Sequence, residues 1–147
     1  LGSYRGANAY VSYPRIPGHE LAAEIVEIDD NDRGLKPGMI VTCNPYFNCG
    51  TCYSCRRGLV NACTDNQTMG VQREGGFAEY ITMPIERIYD GKGLPAKTLA
   101  LIEPFCISYH GVSRANVQKG ERVLVVGAGT IGVLAAVAAK AKGAEVT

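Results

Sequence analysis

Four of the six cysteines fall close together, as Cys49-x2-Cys52-x2-Cys55-x7-Cys63, while Cys43 and Cys106 stand apart. Four thiolates at this spacing can wrap one tetrahedral ion. Zn²⁺ suits them, because borderline-soft sulfur at about 2.3 Å fills all four positions and leaves none open. Such a site is structural. The alternative is a set of redox or disulfide cysteines, but bridging residues three apart is geometrically awkward. A second motif, Gly127-x-Gly129-x-x-Gly132, follows an apolar run and opens a helix-favouring segment, the setting in which a glycine loop cradles a dinucleotide. The first glycine makes a tight turn, the second lets a pyrophosphate approach the backbone, and the third lets helix pack on strand. Phosphate then meets the positive helix N-terminus, with Thr130 and Ile131 lying inside the loop. The alternative is a glycine-rich turn that binds nothing.

Two weaker signals are carboxylates and an imidazole. His19 and Glu20 stand side by side in Pro17-Gly18-His19-Glu20, at the head of a strand-like run, and could share an open metal site. A His-Glu pair on its own is more often a solvated pair at the surface. Glu103 lies between Leu101-Ile102 and Pro104-Phe105, where partial burial would make a carboxylate want a counter-charge. It could equally be a helix-start carboxylate favoured by the dipole. His110 reads as ordinary.

The elements that must position these residues change character along the chain. From Leu1 to about Tyr89 the sequence reads as short β-runs broken by turns. Leu21 to Ile28 is a β-branched run ended by Asp29-Asp30-Asn31-Asp32, and Lys36-Pro37-Gly38 is a tight turn before Met39 to Thr42. Phe77 to Ile81 alternates as a half-buried strand should. After Pro95 the spacing of Leu99, Ile102, Cys106, Tyr109 and Val112 predicts one helix or two short ones over 97–115, with Pro104 early or at a kink. Arg122 to Val126 is a buried-strand run, Ile131 to Lys142 an Ala-rich helix closed by Gly143, and Ala144 to Thr147 the start of another strand. That order is βαβ. The expected fold class is therefore mixed β and α/β, with a first unit over 1–115, its cysteine lobe at about 48–64, and a second unit over 116–147.

Composition narrows the function classes. Lys+Arg 15 against Asp+Glu 14 gives a formal charge of +1, which argues against a nucleic-acid or anionic-membrane partner. With 46% hydrophobic and 20% charged residues the chain reads as globular. Its longest apolar run, Ile131 to Ala139, is about half of the ~20 residues a membrane span needs and is closed by Lys140. The chain opens at Leu1 with neither an initiator Met nor a signal-peptide pattern, so the beginning reads as cut. Unpaired thiolates and the lack of an export signal predict the cytoplasm.

Taken together the residues resemble the zinc-dependent medium-chain alcohol dehydrogenase family, and its sorbitol, polyol and sugar-acid dehydrogenase-like branch in particular. The resemblance rests on Pro17-Gly18-His19-Glu20, the four-cysteine lobe, Gly75-Gly76-Phe77-Ala78-Glu79-Tyr80, Leu101-Ile102-Glu103-Pro104, and Val123 through Gly132, in family order over nearly the whole chain. It implies a GroES-like β-barrel catalytic domain followed by the first βαβ unit of a Rossmann domain. It also implies a family chain roughly twice this length, of which this is the middle portion, so the piece as given is expected to be inactive. Cys49, Cys52, Cys55 and Cys63 match the structural-zinc ligands, and His19 matches a catalytic-zinc ligand. Glu20 matches the neighbouring carboxylate, and Glu103 the acidic residue at the third ligand position in the polyol branch. The catalytic cysteine ligand would lie before Leu1. Gly2 stands where many relatives carry a proton-relay histidine, so the proton leaves by another group or through substrate hydroxyls and water. Thr130 replaces a proline common in the glycine loop.

The implied activity is reversible oxidation of a secondary alcohol on a sugar, polyol or sugar acid. Two zinc ions per full-length subunit are implied, one catalytic and one structural, with NAD or NADP accepting the hydride. The acidic residue that would choose between the two dinucleotides falls beyond Thr147. Other readings are a threonine-dehydrogenase-like or simple alcohol dehydrogenase of the same family, or a zinc-stabilised binding module without catalysis. Family members assemble as homo-dimers or homo-tetramers.

Overall fold

The computed structural model describes residues 2–147; Leu1, where the first unit is expected to open, lies outside the described residues. Its first part is built on a three-stranded antiparallel sheet of β1 (Ala23–Glu24), β2 (Ile40–Cys43) and β5 (Ile88–Asp90), in the order β1-β2-β5. Ala23 faces Val41 across one ladder, and Thr42 faces Tyr89 across the other. Ile25, Leu35 and Val41 form the core beneath this sheet, with Ile85 and Ile88 packed against them. The ladder at β1 is shorter than the run from Leu21 to Ile28 predicts. Pairing continues irregularly beyond Glu24: the Ile25 N–H donates to the Met39 carbonyl (2.9 Å), and the Gly38 N–H to the Ile25 carbonyl (2.7 Å). The turn at Lys36-Pro37-Gly38 swings the chain out of register there, and Pro37 has no N–H to donate.

Phe77 to Ile81 forms no strand in the structure, despite its alternation. Its leading residues bond instead to the segment before His19: Gly75 N–H to the Ile16 carbonyl, Phe77 N–H to the Pro17 carbonyl, and Gly76 N–H to the Gly18 carbonyl. The approach is close enough to require glycine, since a Cβ on Gly75 would fall 2.3 Å from the Pro17 oxygen. Beyond it, Phe77 and Tyr80 are exposed, which is why an alternating pattern yields no ladder here. A two-stranded ribbon, β3 (Tyr46–Phe47) with β4 (Gln67–Thr68), brackets the cysteine lobe and its one-turn helix α1 (Tyr53–Arg56).

The helical stretch after Pro95 divides into α2 (Ala96–Leu99) and α3 (Ile102–Arg114). Pro104 falls in the first turn of α3, where its missing N–H has no partner to lose. The second part has the βαβ order that the pattern predicts: β6 (Arg122–Val123), α4 (Thr130–Ala141) and β7 (Glu145–Val146), with β6 and β7 parallel. Strand β6 is shorter than the buried run expected over Arg122 to Val126, and Leu124 and Val126 are exposed because, among the described residues, β6 pairs only with β7 and nothing covers them. Helix α4 ends as its sequence requires. Gly143 takes φ +85°, its N–H reaches the Lys140 carbonyl, and the Ala144 N–H reaches that of Ala139. Helix α3 packs on α4, and Val112, Val117, Ala138, Ala139 and Ala144 share one core. Buried Ser108 ties the two helices, its hydroxyl lying 3.0 Å from the carbonyls of both Pro104 and Ile131. Among the described residues no helix is long and apolar enough to cross a membrane.

Candidate metal centres and dinucleotide loop

The sulfurs of Cys49, Cys52, Cys55 and Cys63 all lie within 4.8 Å of one another, and every cysteine is free of disulfide bonds. A tetrahedral ion holding sulfur at about 2.3 Å would set the four sulfurs about 3.8 Å apart, so the cluster fits zinc without a disulfide alternative. The chain folds back on itself so that backbone N–H groups face the sulfurs. Cys49 donates to Cys63 Sγ (3.3 Å), Cys52 to Cys49 Sγ (3.3 Å), Cys55 to Cys52 Sγ (3.4 Å), and Asp65 to Cys63 Sγ (3.4 Å). Such donors favour thiolate, the form a metal needs. The Cys55 and then the Thr64 N–H bring the Cys52 thiol down to about 5, and those of Thr51 and Cys52 lower Cys49. Burial, followed by the hydrogen bond with Cys52, raises Cys55 to about 11.

The second cluster gathers residues from distant parts of the chain. One nitrogen of His19 and one carboxylate oxygen each of Glu20 and Glu103 lie within 4.8 Å of one another. Each has its own mount. His19 follows Gly18, whose carbonyl accepts from Gly76, and Leu21 just beyond is gripped by the Thr42 hydroxyl at 2.9 Å. Glu74 steadies the approach, accepting from the Ile16 N–H (2.7 Å) and pairing with Arg15 (2.6 Å). Glu103 sits in the first turn of α3, where the helix dipole favours its charge, and is only 8% exposed. Two carboxylates this close repel unless a cation or a proton lies between them. Among the described residues the ion pairs are Arg15–Glu74 and Lys92–Asp90, so no lysine or arginine is paired with Glu20 or Glu103. An imidazole and two carboxylates without a paired lysine or arginine are a donor set that fits a divalent ion.

Sequence reasoning missed one residue here. Tyr46 of β3 donates its phenolic hydrogen to Glu103 Oε1, and its ring lies 6.5 Å from that of His19. Burial, then the hydrogen bond and charge of Glu103, hold this phenol well above its usual value, so it stays a donor. Nothing in the sequence marks it, because a tyrosine in a β-run reads as packing. Cys106, one turn along α3 from Glu103, is exposed and outside the cluster; burial of its sulfur and the charge of Glu103 raise its thiol. Cys43 is raised to about 11 by burial alone.

The glycine loop joins β6 to α4, with Gly129 as the N-cap and Thr130 and Ile131 opening the helix. Gly127 takes φ +108°, and a Cβ on Gly132 would lie 1.9 Å from the Gly127 oxygen, so helix and turn close only on glycine. At Gly129 a Cβ would meet nothing within 4 Å, leaving open space beside the backbone at the helix N-terminus. This cradle fits a dinucleotide phosphate. Gly132→Ala in the full-length protein is therefore expected to weaken NAD(P)⁺ binding about 5- to 150-fold, read by titration calorimetry, with metal content unchanged; overpacking of this kind costs about 1–3 kcal/mol.

A model of the alcohol dehydrogenase GroES-like domain matches residues 1–93. The chain belongs to that family. It is 45% identical to L-galactonate-5-dehydrogenase of Escherichia coli K12, over 99% of this chain and 43% of that protein. It is 37% identical to L-threonine 3-dehydrogenase of Pyrococcus horikoshii, over 94% of this chain and 40% of that one. Among solved structures, a candidate zinc-binding dehydrogenase of Sinorhizobium meliloti 1021 with NADP bound superposes with a TM-score of 0.87 at 32% identity. That superposition covers 98% of this chain and 43% of the other. The chain thus spans about two fifths of the length of the relatives it matches. The zinc-type alcohol dehydrogenase resemblance and the GroES-like fold class read from the sequence both hold for this family member. Among the described residues its antiparallel strands form a three-stranded and a two-stranded sheet rather than the closed β-barrel expected.

Proposed function

We propose that this chain carries the metal-binding half of a zinc-dependent dehydrogenase that oxidises a secondary alcohol of a sugar acid, polyol or sugar with NAD⁺ or NADP⁺. The observation that carries the reading is the convergence of His19, Glu20 and Glu103 from separate segments onto one point, with no lysine or arginine among the described residues paired to either carboxylate. The catalytic unit runs over 1–115 and the dinucleotide unit opens at 116–147, so substrate would react in the cleft between them. His19, Glu20 and Glu103 would hold the catalytic ion, and Cys49, Cys52, Cys55 and Cys63 the structural one. Zinc bound at the first site supplies a Lewis acid that lowers the pKa of the substrate alcohol, and the nicotinamide accepts the hydride.

The rest belongs to the chain's own residues. The buried Glu103 fixes one wall of the site. Glu20, beside it in the cluster, is exposed and can accept a hydrogen bond from a hydroxylated substrate. Gly127, Gly129, Thr130, Ile131 and Gly132 would seat the pyrophosphate on α4. With Gly2 where many family members carry a relay histidine, the alcohol proton would leave through substrate hydroxyls and water.

A second reading, oxidation of the secondary alcohol of a hydroxy amino acid, is favoured by the 37% identity to L-threonine 3-dehydrogenase. The test is zinc content of the full-length protein purified without chelator, together with NAD⁺ and NADP⁺ reduction on sugar acids, polyols and L-threonine. Two zinc ions per subunit and turnover on a sugar acid or polyol are expected. Turnover on threonine alone would select the second reading. One zinc and no turnover would leave a zinc-stabilised binding module and defeat both.

A further inference from the structure

The His19 cluster has a supporting group that family resemblance does not supply. We infer that Tyr46 is a positioning residue that sets the Glu103 carboxylate for metal, a role that rests on the metal reading of the His19, Glu20 and Glu103 cluster. Its hydroxyl donates to Glu103 Oε1, and among the described residues it is the side chain that does so. A ligating carboxylate free to rotate samples orientations that do not bind, and a donor fixed on one oxygen removes that freedom.

The mount of the phenol is rigid, which is what a positioning role needs. Tyr46 pairs with Thr68 across the β3–β4 ribbon, and its N–H donates to Asn44 Oδ1 at 3.0 Å. Its carbonyl accepts from the Arg87 guanidinium. The next residue, Phe47, has two guanidinium groups over its ring, Arg73 at 4.0 Å and Arg87 at 4.6 Å from the centroid. Arg87 also reaches Asn48 Oδ1 at 3.3 Å, and Asn48 Nδ2 lies 3.7 Å from Cys55 Sγ. The cysteine lobe and the phenol therefore share one anchor, and a well-formed lobe holds the phenol still.

The experiment compares wild type, Tyr46→Phe and Tyr46→Leu as zinc-loaded full-length proteins. Each is challenged with a series of chelators of graded affinity while zinc release is followed, and the labile zinc is then replaced by Co²⁺ to record its d–d spectrum. In Tyr46→Phe the more labile zinc should be held about 10- to 100-fold more weakly, the usual loss when a group supporting a metal ligand is removed. The tightly held cysteine zinc should be unchanged, and the Co²⁺ band should shift as carboxylate coordination changes. Unchanged release and spectrum in Tyr46→Phe, with damage confined to Tyr46→Leu, would reduce Tyr46 to packing and overturn the proposal. Equal weakening of both zinc pools with a lower Tm would overturn it too, as a general structural defect. A wild-type protein that holds a single zinc would defeat the metal reading and this proposal together. Two zinc ions in wild type with no change in Tyr46→Phe defeats the proposal alone.

Discussion

Cys52→Ser is expected to remove one zinc per subunit and lower the Tm of the full-length protein by on the order of 10–20 °C. Loss of a structural metal belongs to the class of substitutions costing about 4–5 kcal/mol or more, and each kcal/mol is worth about 2–4 °C in a domain of this size. The substitution is well chosen because serine repeats the local role of cysteine. Cys52 caps α1, its sulfur accepting from the Cys55 N–H. A serine oxygen accepts the same bond, and serine is among the favoured N-cap residues. The helix start is therefore kept, and the loss reports on the metal. The lobe has little else to hold it: neither α1 nor the turn over Val60–Ala62 contains a buried residue. Differential scanning calorimetry with metal analysis reads the result. Chelation strong enough to strip the cysteine zinc as well as the more labile ion should bring wild type down to the Tm of the variant, while Cys106→Ser, at an exposed thiol outside the cluster, should leave Tm and zinc unchanged. A Cys52→Ser protein that melts as wild type with zinc still bound would mean that the lobe is not built around a metal.

How far the sequence could be read follows from how local each signal is. The cysteine spacing holds its whole meaning in one short loop, and the structure closes it into a cluster. Helix α4 and its stop at Gly143 are equally local, since propensity and capping act within a few residues. Phe77 to Ile81 fails for the opposite reason. Alternation describes a surface but not a partner, and here the segment's leading backbone groups are taken by residues 16–18. The His19 cluster was legible only in pieces. His19, Glu20 and Glu103 are each ambiguous alone, and what removes the ambiguity is a convergence that no local pattern encodes. Tyr46 was invisible, because its role depends on a hydrogen bond to a residue on another element.

His19→Ala should cut kcat/KM of the full-length protein by at least about a thousandfold while leaving dinucleotide affinity within about twofold. The rate loss follows from the several kcal/mol that a Lewis acid supplies to developing charge, each 1.36 kcal/mol being tenfold in rate. Sparing of the fold follows from how His19 is held. The neighbouring backbone is fixed by the Gly76 N–H on the Gly18 carbonyl and by the Thr42 hydroxyl on the Leu21 carbonyl, and none of these bonds uses the imidazole. The glycine loop is carried by β6 and α4, whose core is separate from the one beneath the first sheet, and the link between the two sites runs through α3 and Ser108 rather than through the His19 side chain. Zinc content should fall by one, and the remaining ion should resist chelators as the cysteine zinc does. Steady-state kinetics, NAD(P)⁺ titration and metal analysis on one preparation separate the possibilities. Retained turnover would take His19 out of the metal site. Lost turnover together with lost dinucleotide binding would mean that His19 acts through the fold, and the convergence of imidazole and carboxylates would then be packing without chemistry.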